Sequence, residues 1–230
     1  MLTLAIDTAS DSCAVALWLG DGGGRLCAER ERPMSRGHGE ALFGMVTQVL
    51  DEAAVSVHDI ARFAAVSGPG TFTGLRIGLA AIRGLALALD ADALAVSAFE
   101  LIAAADQEAH DECRPRIVVI DARRGELYVA VLDRNGSFAA PPALLTPQAA
   151  GERLTPERTL VIGSGAPALS REAAARGLAA ETRKVARPPA RLLARLAATR
   201  EPADFPPEPL YIRAPDAKPP ASRPLNEPRS

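Results

Sequence analysis

The chain opens on two short apolar runs, LTLAID (2–7) and CAVALWL (13–19), separated by the polar TASDS. Runs of that length between turn-forming residues predict strands. The glycine cluster at 20–24 predicts a tight turn into a third strand, RLCAERE (25–31). From 38 to 54 the period changes: Leu42, Met45, Val46, Val49 and Leu50 recur at helical spacing and predict an amphipathic helix. A strand at 62–67, a helix at 74–89, a strand at 93–97 and a helix at 98–108 complete the first round.

A second round begins at residue 116. RIVVID (116–121) and ELYVAVL (126–132) read as strands around the turn ARRG, and NGS at 135–137 opens another hairpin. A helix at 146–154, a strand TLVIG (159–163) and a helix at 166–176 follow. Both rounds open on an apolar strand ending in Asp, LAID at 4–7 and VVID at 118–121. This shared punctuation predicts two copies of one βββαβα unit in an α/β fold, one lobe over 1–97 and the other over 98–200. From Glu201 the composition shifts, with nine of the nineteen prolines in the last thirty residues. LYIR (210–213) is expected to pack on the body, and PPASRPLNEPRS (219–230) to be disordered, having little apolar area to offset ordering entropy.

Composition narrows the function classes. At 48% hydrophobic, 23% charged and net charge -2, the chain has no whole-molecule drive toward nucleic acid or an anionic membrane. Cys13, Cys27 and Cys113 are odd in number and far apart, which predicts reduced thiols. MLTLAID lacks a basic stretch before its apolar residues, so no secretory leader is expected. The longest apolar run, GLALALDADALAVSAF, is broken by Asp90 and Asp92, short of the roughly 18 residues of a spanning helix. A soluble, cytoplasmic protein is the expectation.

Asp7 and Asp121 end buried strands, where open α/β sheets place their ligands. A carboxylate there can hold Mg²⁺ beside phosphates, with Thr8, Ser10, Arg123 and Gly125 supplying hydroxyl, guanidinium and N–H groups. Gly163 and Gly165 complete this candidate nucleotide set. The alternative is that both Asp residues only close local turns. The loop SGPGTFTGLRIG (67–78) lacks the Lys of a P-loop. Its Gly68, Gly70 and Gly74 suit either an anion cradle, with Thr73 or Gly74 capping the next helix, or close passage of another backbone.

The helix behind the loop carries Leu75, Ile77, Leu79, Ile82, Leu85, Leu87 and Leu89, and only Arg76 and Arg83 are charged. A helix apolar on nearly all sides must be covered on all sides. A subunit interface is expected there, with the 38–54 helix as companion and Gly78 and Gly84 admitting a close helix. Its candidate residues are Leu42, Met45, Val49, Gly70, Thr73, Leu75, Arg76, Leu79, Ile82 and Arg83. His38 has Leu42, not a second His, one turn on, so neither a metal site nor a catalytic residue is assigned.

These segments resemble, nearly end to end, the bacterial TsaB (YeaZ) proteins. LAIDTASDSCAVAL, His38 at the first helix, SGPGTFTGLRIGLAAIRGLALAL, VVIDARRGELYVA and PLYIR carry the resemblance. It implies the actin-like (sugar kinase, heat-shock ATPase, actin) fold of two RNase-H-like lobes with mixed five-stranded sheets. It also implies a role in threonylcarbamoyl modification of the adenosine beside the anticodon in tRNAs reading ANN codons. The implied role is that of a non-catalytic subunit supporting the catalytic paralogue TsaD, together with the ATPase TsaE. In isolation a homodimer is implied, built from the first two long helices; tRNA is met through the complex, and ATP or ADP with Mg²⁺ belongs there too. The alternative is a weak Mg²⁺-dependent ATPase, although Ala9 stands where active relatives place a glycine. The glycoprotease activity attached to TsaD-like relatives rests on H-x-x-x-H, and HGEAL at 38–42 does not supply it.

Overall fold

Along the first strands large and small side chains alternate: Leu4-Ala5-Ile6, then Cys13-Ala14-Val15-Ala16-Leu17. Side chains of a strand point to opposite faces in turn, so one face of the sheet is bulky and the other is lined with alanine. The computed structural model describes residues 1–21, 23–156, 160–185 and 187–213. In it, strands β1 (Leu2–Ser10), β2 (Ser12–Leu19), β3 (Arg25–Pro33), β4 (Arg62–Gly68) and β5 (Asp92–Ser97) form a sheet ordered β3-β2-β1-β4-β5. Its bulky face packs on α1 (His38–Ala53) and α2 (Phe72–Leu89), burying Leu4, Ile6, Val15, Leu17 and Phe63 with Leu42, Val49, Leu79 and Ile82.

The second half repeats the topology. Strands β6 (Arg116–Asp121), β7 (Leu127–Leu132), β8 (Ala143–Leu145), β9 (Leu160–Ile162) and β10 (Glu181–Arg183) are ordered β10-β9-β6-β7-β8. In each sheet the unit's first strand is central, with the second and third antiparallel on one side and the fourth and fifth parallel on the other. Two such lobes form the duplicated α/β fold that the shared punctuation predicted, in the actin-like arrangement that the family resemblance implied. Helices α4 (Pro147–Gly151) and α5 (Ala166–Ala175) lie with one face of the second sheet, and α3 (Ala98–His110) packs on the other. Leu101 of α3 belongs to the first lobe's core and Phe99 and Ala103 to the second's, so this helix is shared.

Two elements escaped the sequence reading, β10 and α6 (Ala190–Ala198). The second-lobe span of 98–200 also needs correction, because α6 returns to the first sheet. The alanine face is the reason: Ala5, Ala14, Ala16 and Ala64 leave room for Leu192, Leu193, Ala194 and Ala197 to approach closely. Arg62 secures its end, donating from Nη1 to the carbonyls of Ala197 and Arg200, each at 2.8 Å. The Ala197 carbonyl also accepts the Arg200 N–H at 3.3 Å, so the guanidinium reinforces the turn that ends α6. The packed LYIR segment is present as well: Leu210 N–H donates to the Ser67 carbonyl at 2.8 Å. The tail expected to be disordered lies outside the described residues.

Helix α2 corrects a second expectation. It starts at Phe72, and its cap is Thr71, whose hydroxyl accepts the Gly74 N–H. At 18 residues and mean hydropathy 1.5 it has the length and composition of a membrane span. Its inner side, with Leu75, Gly78, Leu79, Ile82 and Ala86, is buried in this protein. Arg76 and Arg83 stand on its exposed side, where each would cost about 2.5–3.5 kcal/mol at a bilayer centre. The helix is a sheet cover.

Gly74 and Gly84 separate the two sides of α2 experimentally. A Cβ on Gly74 would lie 1.9 Å from the Thr8 carbonyl oxygen, whereas a Cβ on Gly84 meets nothing within 4 Å. Gly74→Ala should cost about 2–3 kcal/mol or more by overpacking, and Gly84→Ala should gain about 0.5–1 kcal/mol by helix propensity. Urea unfolding midpoints of the two variants check both signs.

Candidate functional site in the interlobe cleft

Each lobe closes the same local turn with an Asp of its first strand: Asp121 ends β6 as expected, whereas β1 runs on past Asp7 to Ser10 through a shift of register. Asp7 Oδ1 accepts the Ala9 N–H at 2.9 Å, and Asp121 Oδ1 accepts the Arg123 N–H at 2.8 Å. The turn-closing reading therefore holds for both, and both also line one cavity of about 800 Å³ between the lobes. Ser10, Arg123 and Gly163 of the candidate set line it too, and Val66, Leu101, Ile102, Ile120 and Tyr128 form an apolar wall. The volume suits a small ligand. Thr8, Gly125 and Gly165 do not line it. Thr8 is buried with its hydroxyl donating to the Gly74 carbonyl at 2.7 Å. Gly125 lies in the β6–β7 turn at φ 78°, and Gly165 packs under Val119, whose Cγ1 would be 2.6 Å from an added Cβ.

The two carboxylates live in different surroundings. Asp121 is exposed. Asp7 is 8% exposed, and its Oδ2 accepts Arg187 Nη2 at 3.0 Å. Arg187 and Ser164, whose hydroxyl accepts the Asp121 N–H at 3.0 Å, were missed from sequence. Nothing in RPP (187–189) marks that arginine as reaching a residue 180 positions earlier. A Mg²⁺ bridging Asp7 to phosphates does not fit this arrangement, because the Ala9 N–H and a guanidinium already hold the carboxylate. Among the described residues no three His, Cys, Asp or Glu side chains gather to ligate a metal. His38 is buried, and its Nε2 donates to the Ser10 carbonyl at 3.1 Å, tying the start of α1 to the end of β1.

The glycine-rich loop serves close packing. A Cβ on Gly70 would stand 2.7 Å from the Ala9 carbonyl oxygen, and the Thr71 N–H donates to that oxygen at 2.8 Å. Of the two readings left open for SGPGTFTG, close backbone passage is the one realised.

The interface expectation divides. Leu42, Met45, Val49, Leu75, Leu79 and Ile82 are buried in the chain's own core, and Gly78 faces β1 and β4 through Ile6 and Ala65. Helical periodicity marked the side of each helix that meets its own sheet. Gly70, Thr73, Arg76 and Arg83 are exposed. So are three large hydrophobics outside the candidate set: Phe43 (55%), Phe72 (59%) and Leu87 (88%). Arg76 stacks 3.7 Å over the Phe72 ring and donates from Nε to the Tyr211 hydroxyl at 3.2 Å.

Residues 32–159 match the family of TsaD, tRNA N6-adenosine threonylcarbamoyltransferase. The tRNA threonylcarbamoyladenosine biosynthesis protein TsaB of Escherichia coli (strain K12) is 36% identical over 158 residues, 67% of this chain and 66% of that protein. TsaB of Bacillus subtilis (strain 168) is 31% identical over 137 residues, 59% of this chain and 57% of its own length. The chain thus spans just under two thirds of the first of these relatives and less of the second. Among solved structures, YeaZ from Pseudomonas aeruginosa superposes with a TM-score of 0.70 at 27% identity, covering 91% of this chain and 99% of that one.

Cys13 on β2 reports on the Asp7 end of the cleft. Burial, with the Asp7 carboxylate adding to it, pushes its thiol from 9.0 up to about 11. The fold holds this proton more tightly than the unfolded chain does. The associated stability is therefore complete below pH 9 and is lost as the pH rises toward about 11. Denaturant midpoints should fall across that window, and fall less in Cys13→Ala, which has no thiol to ionise. Equal slopes for the two proteins would refute the assignment.

Proposed function

We propose the function that follows from one premise: this chain belongs to the TsaB (YeaZ) family. It is a cytoplasmic subunit required for threonylcarbamoyl modification of the adenosine beside the anticodon in tRNAs reading ANN codons. It acts as a scaffold and activator for a TsaD-like paralogue and performs no chemistry of its own. A TsaE-like ATPase joins the assembly, tRNA is reached through the complex, and the isolated chain pairs with itself through the same face. ATP or ADP and Mg²⁺ used by the complex are held by other subunits.

The observation that carries this reading is the outer face of α1 and α2. Phe43, Phe72 and Leu87 project from it, and Arg76 lies over Phe72. Aromatic and arginine side chains are the common energetic anchors of protein interfaces. Gly44 and Gly84 leave open space on the same two helices, where a Cβ would meet nothing within 4 Å. A partner helix can approach closely over such positions, as ridges pack into grooves. The ATPase alternative is disfavoured by Asp7, whose carboxylate is already matched by Arg187.

Substitutions at Leu79 or Ile82 would disrupt the core and could not report on docking. Phe43→Glu with Leu87→Glu should instead leave the circular dichroism spectrum unchanged and weaken binding to the TsaD-like paralogue at least ~tenfold, about 1.4 kcal/mol. Light scattering of the mixed proteins measures the loss. A complex of undiminished mass and affinity would overturn the docking face.

A further inference from the structure

The chain passes from β10 in the second sheet to α6 on the first through residues 184–189, and Arg187 stands in that crossing. Its guanidinium bridges two carboxylates of the first sheet. Nη2 meets Asp7 Oδ2 at 3.0 Å, and Nη1 meets Glu31 Oε1 at 2.8 Å. Asp7 lies on β1 and Glu31 on β3, the two neighbours of β2. Arg187 itself lines the cleft, flanked by Val185 and Pro188.

A planar fork satisfying two carboxylates at once is the geometry arginine supplies and a point charge does not. A divalent cation recruited by Asp7 would compete for the same oxygens, since such ions take one or two carboxylates and complete their shell with water and phosphate. The guanidinium and the ion cannot share that place, because like charges at contact distance repel strongly where water is partly excluded. We infer that Arg187 is a tethered counter-ion occupying the cation position of the cleft, barring divalent metal and metal-bound phosphates from Asp7.

The bar is carried by this chain alone and does not depend on the α1–α2 docking face. It is tested with Mn²⁺ as the only added ligand, titrated calorimetrically into the full chain. Arg187→Gln removes the charge while keeping a hydrogen-bond donor, and Arg187→Ala removes both. At least one of the two, with its thermal transition retained, should gain a single Mn²⁺ site at least ~tenfold tighter than any in the wild-type chain. Asp7→Asn added to that background should abolish the gain. Mn²⁺ affinity unchanged in both variants, or a gain that survives Asp7→Asn, would overturn the inference. Binding of the TsaD-like paralogue by Arg187→Gln should be unchanged, which separates this outcome from failure of the docking reading.

Discussion

The Thr8 hydroxyl donates to the Gly74 carbonyl at 2.7 Å, joining β1 to the first turn of α2 across 66 positions of sequence. Backbone lies against backbone at this point, with no space for even one methyl group. The contact seats α2 so that Gly78 meets Ile6 and Ala65, and Leu79 and Ile82 enter the core. It also holds the last part of β1, from which Asp7 and Ser10 line the cleft. The glycines of SGPGTFTG are needed by this packing, and a helix so seated must turn Phe72, Arg76 and Leu87 outward.

The opposite face of the same sheet has a complementary constraint. Its alanines create a shallow surface, and Leu192, Leu193, Ala194 and Ala197 of α6 fill it. Drawing α6 back to the first lobe brings Val185, Arg187 and Pro188 to the wall of the cleft. Arg187 is delivered to Asp7 by that return. A packing requirement on one face of the sheet and the electrostatic closure of the cleft thus share one stretch of chain. Arg62, capping α6 from β4 while its Nη2 bonds Asp92 at 3.1 Å, stabilises the arrangement from the far end.

Most of the fold was legible because its strands are short apolar runs between turn-forming residues and because LAID and VVID recur at matching places in the two halves. The duplicated unit, its order of strands and helices, and the first five helices follow from that pattern. β10 has three residues, ETR, of which Thr182 alone favours strands, and a polar run that short announces no pattern. The ARLLARLAA of α6 is patterned well enough to be read as a helix, yet nothing local states which sheet it covers. The same limit applied to the site. Asp7 and Asp121 could be paired from repetition, but Arg187 is linked to Asp7 only through the tertiary path of α6. For the interface residues the pattern was informative and easily inverted, because apolar spacing reports the buried side of a helix first. Large hydrophobics out of phase with that spacing, Phe43 and Leu87 among them, were the better signal.

The two Asp residues, though they close matching turns, meet different surroundings. Duplication placed both carboxylates at equivalent turns, with equivalent N–H donors. The first lobe then buries its copy, and a carboxylate at that depth requires a cation, since an unpaired buried charge costs several kcal/mol. Where a metal–phosphate ligand serves as that cation, the site is empty of charge balance until the ligand arrives, and binding can be coupled to chemistry. Here Arg187 satisfies Asp7 within the folded chain, and the drive to recruit an external cation is gone before any ligand approaches. Exposed Asp121 needs no partner and exerts little pull of its own. Apolar surface remains on the outer side of α1 and α2, where removal of Phe43, Phe72 and Leu87 from water would favour association with another protein at about 25 cal/mol per Å².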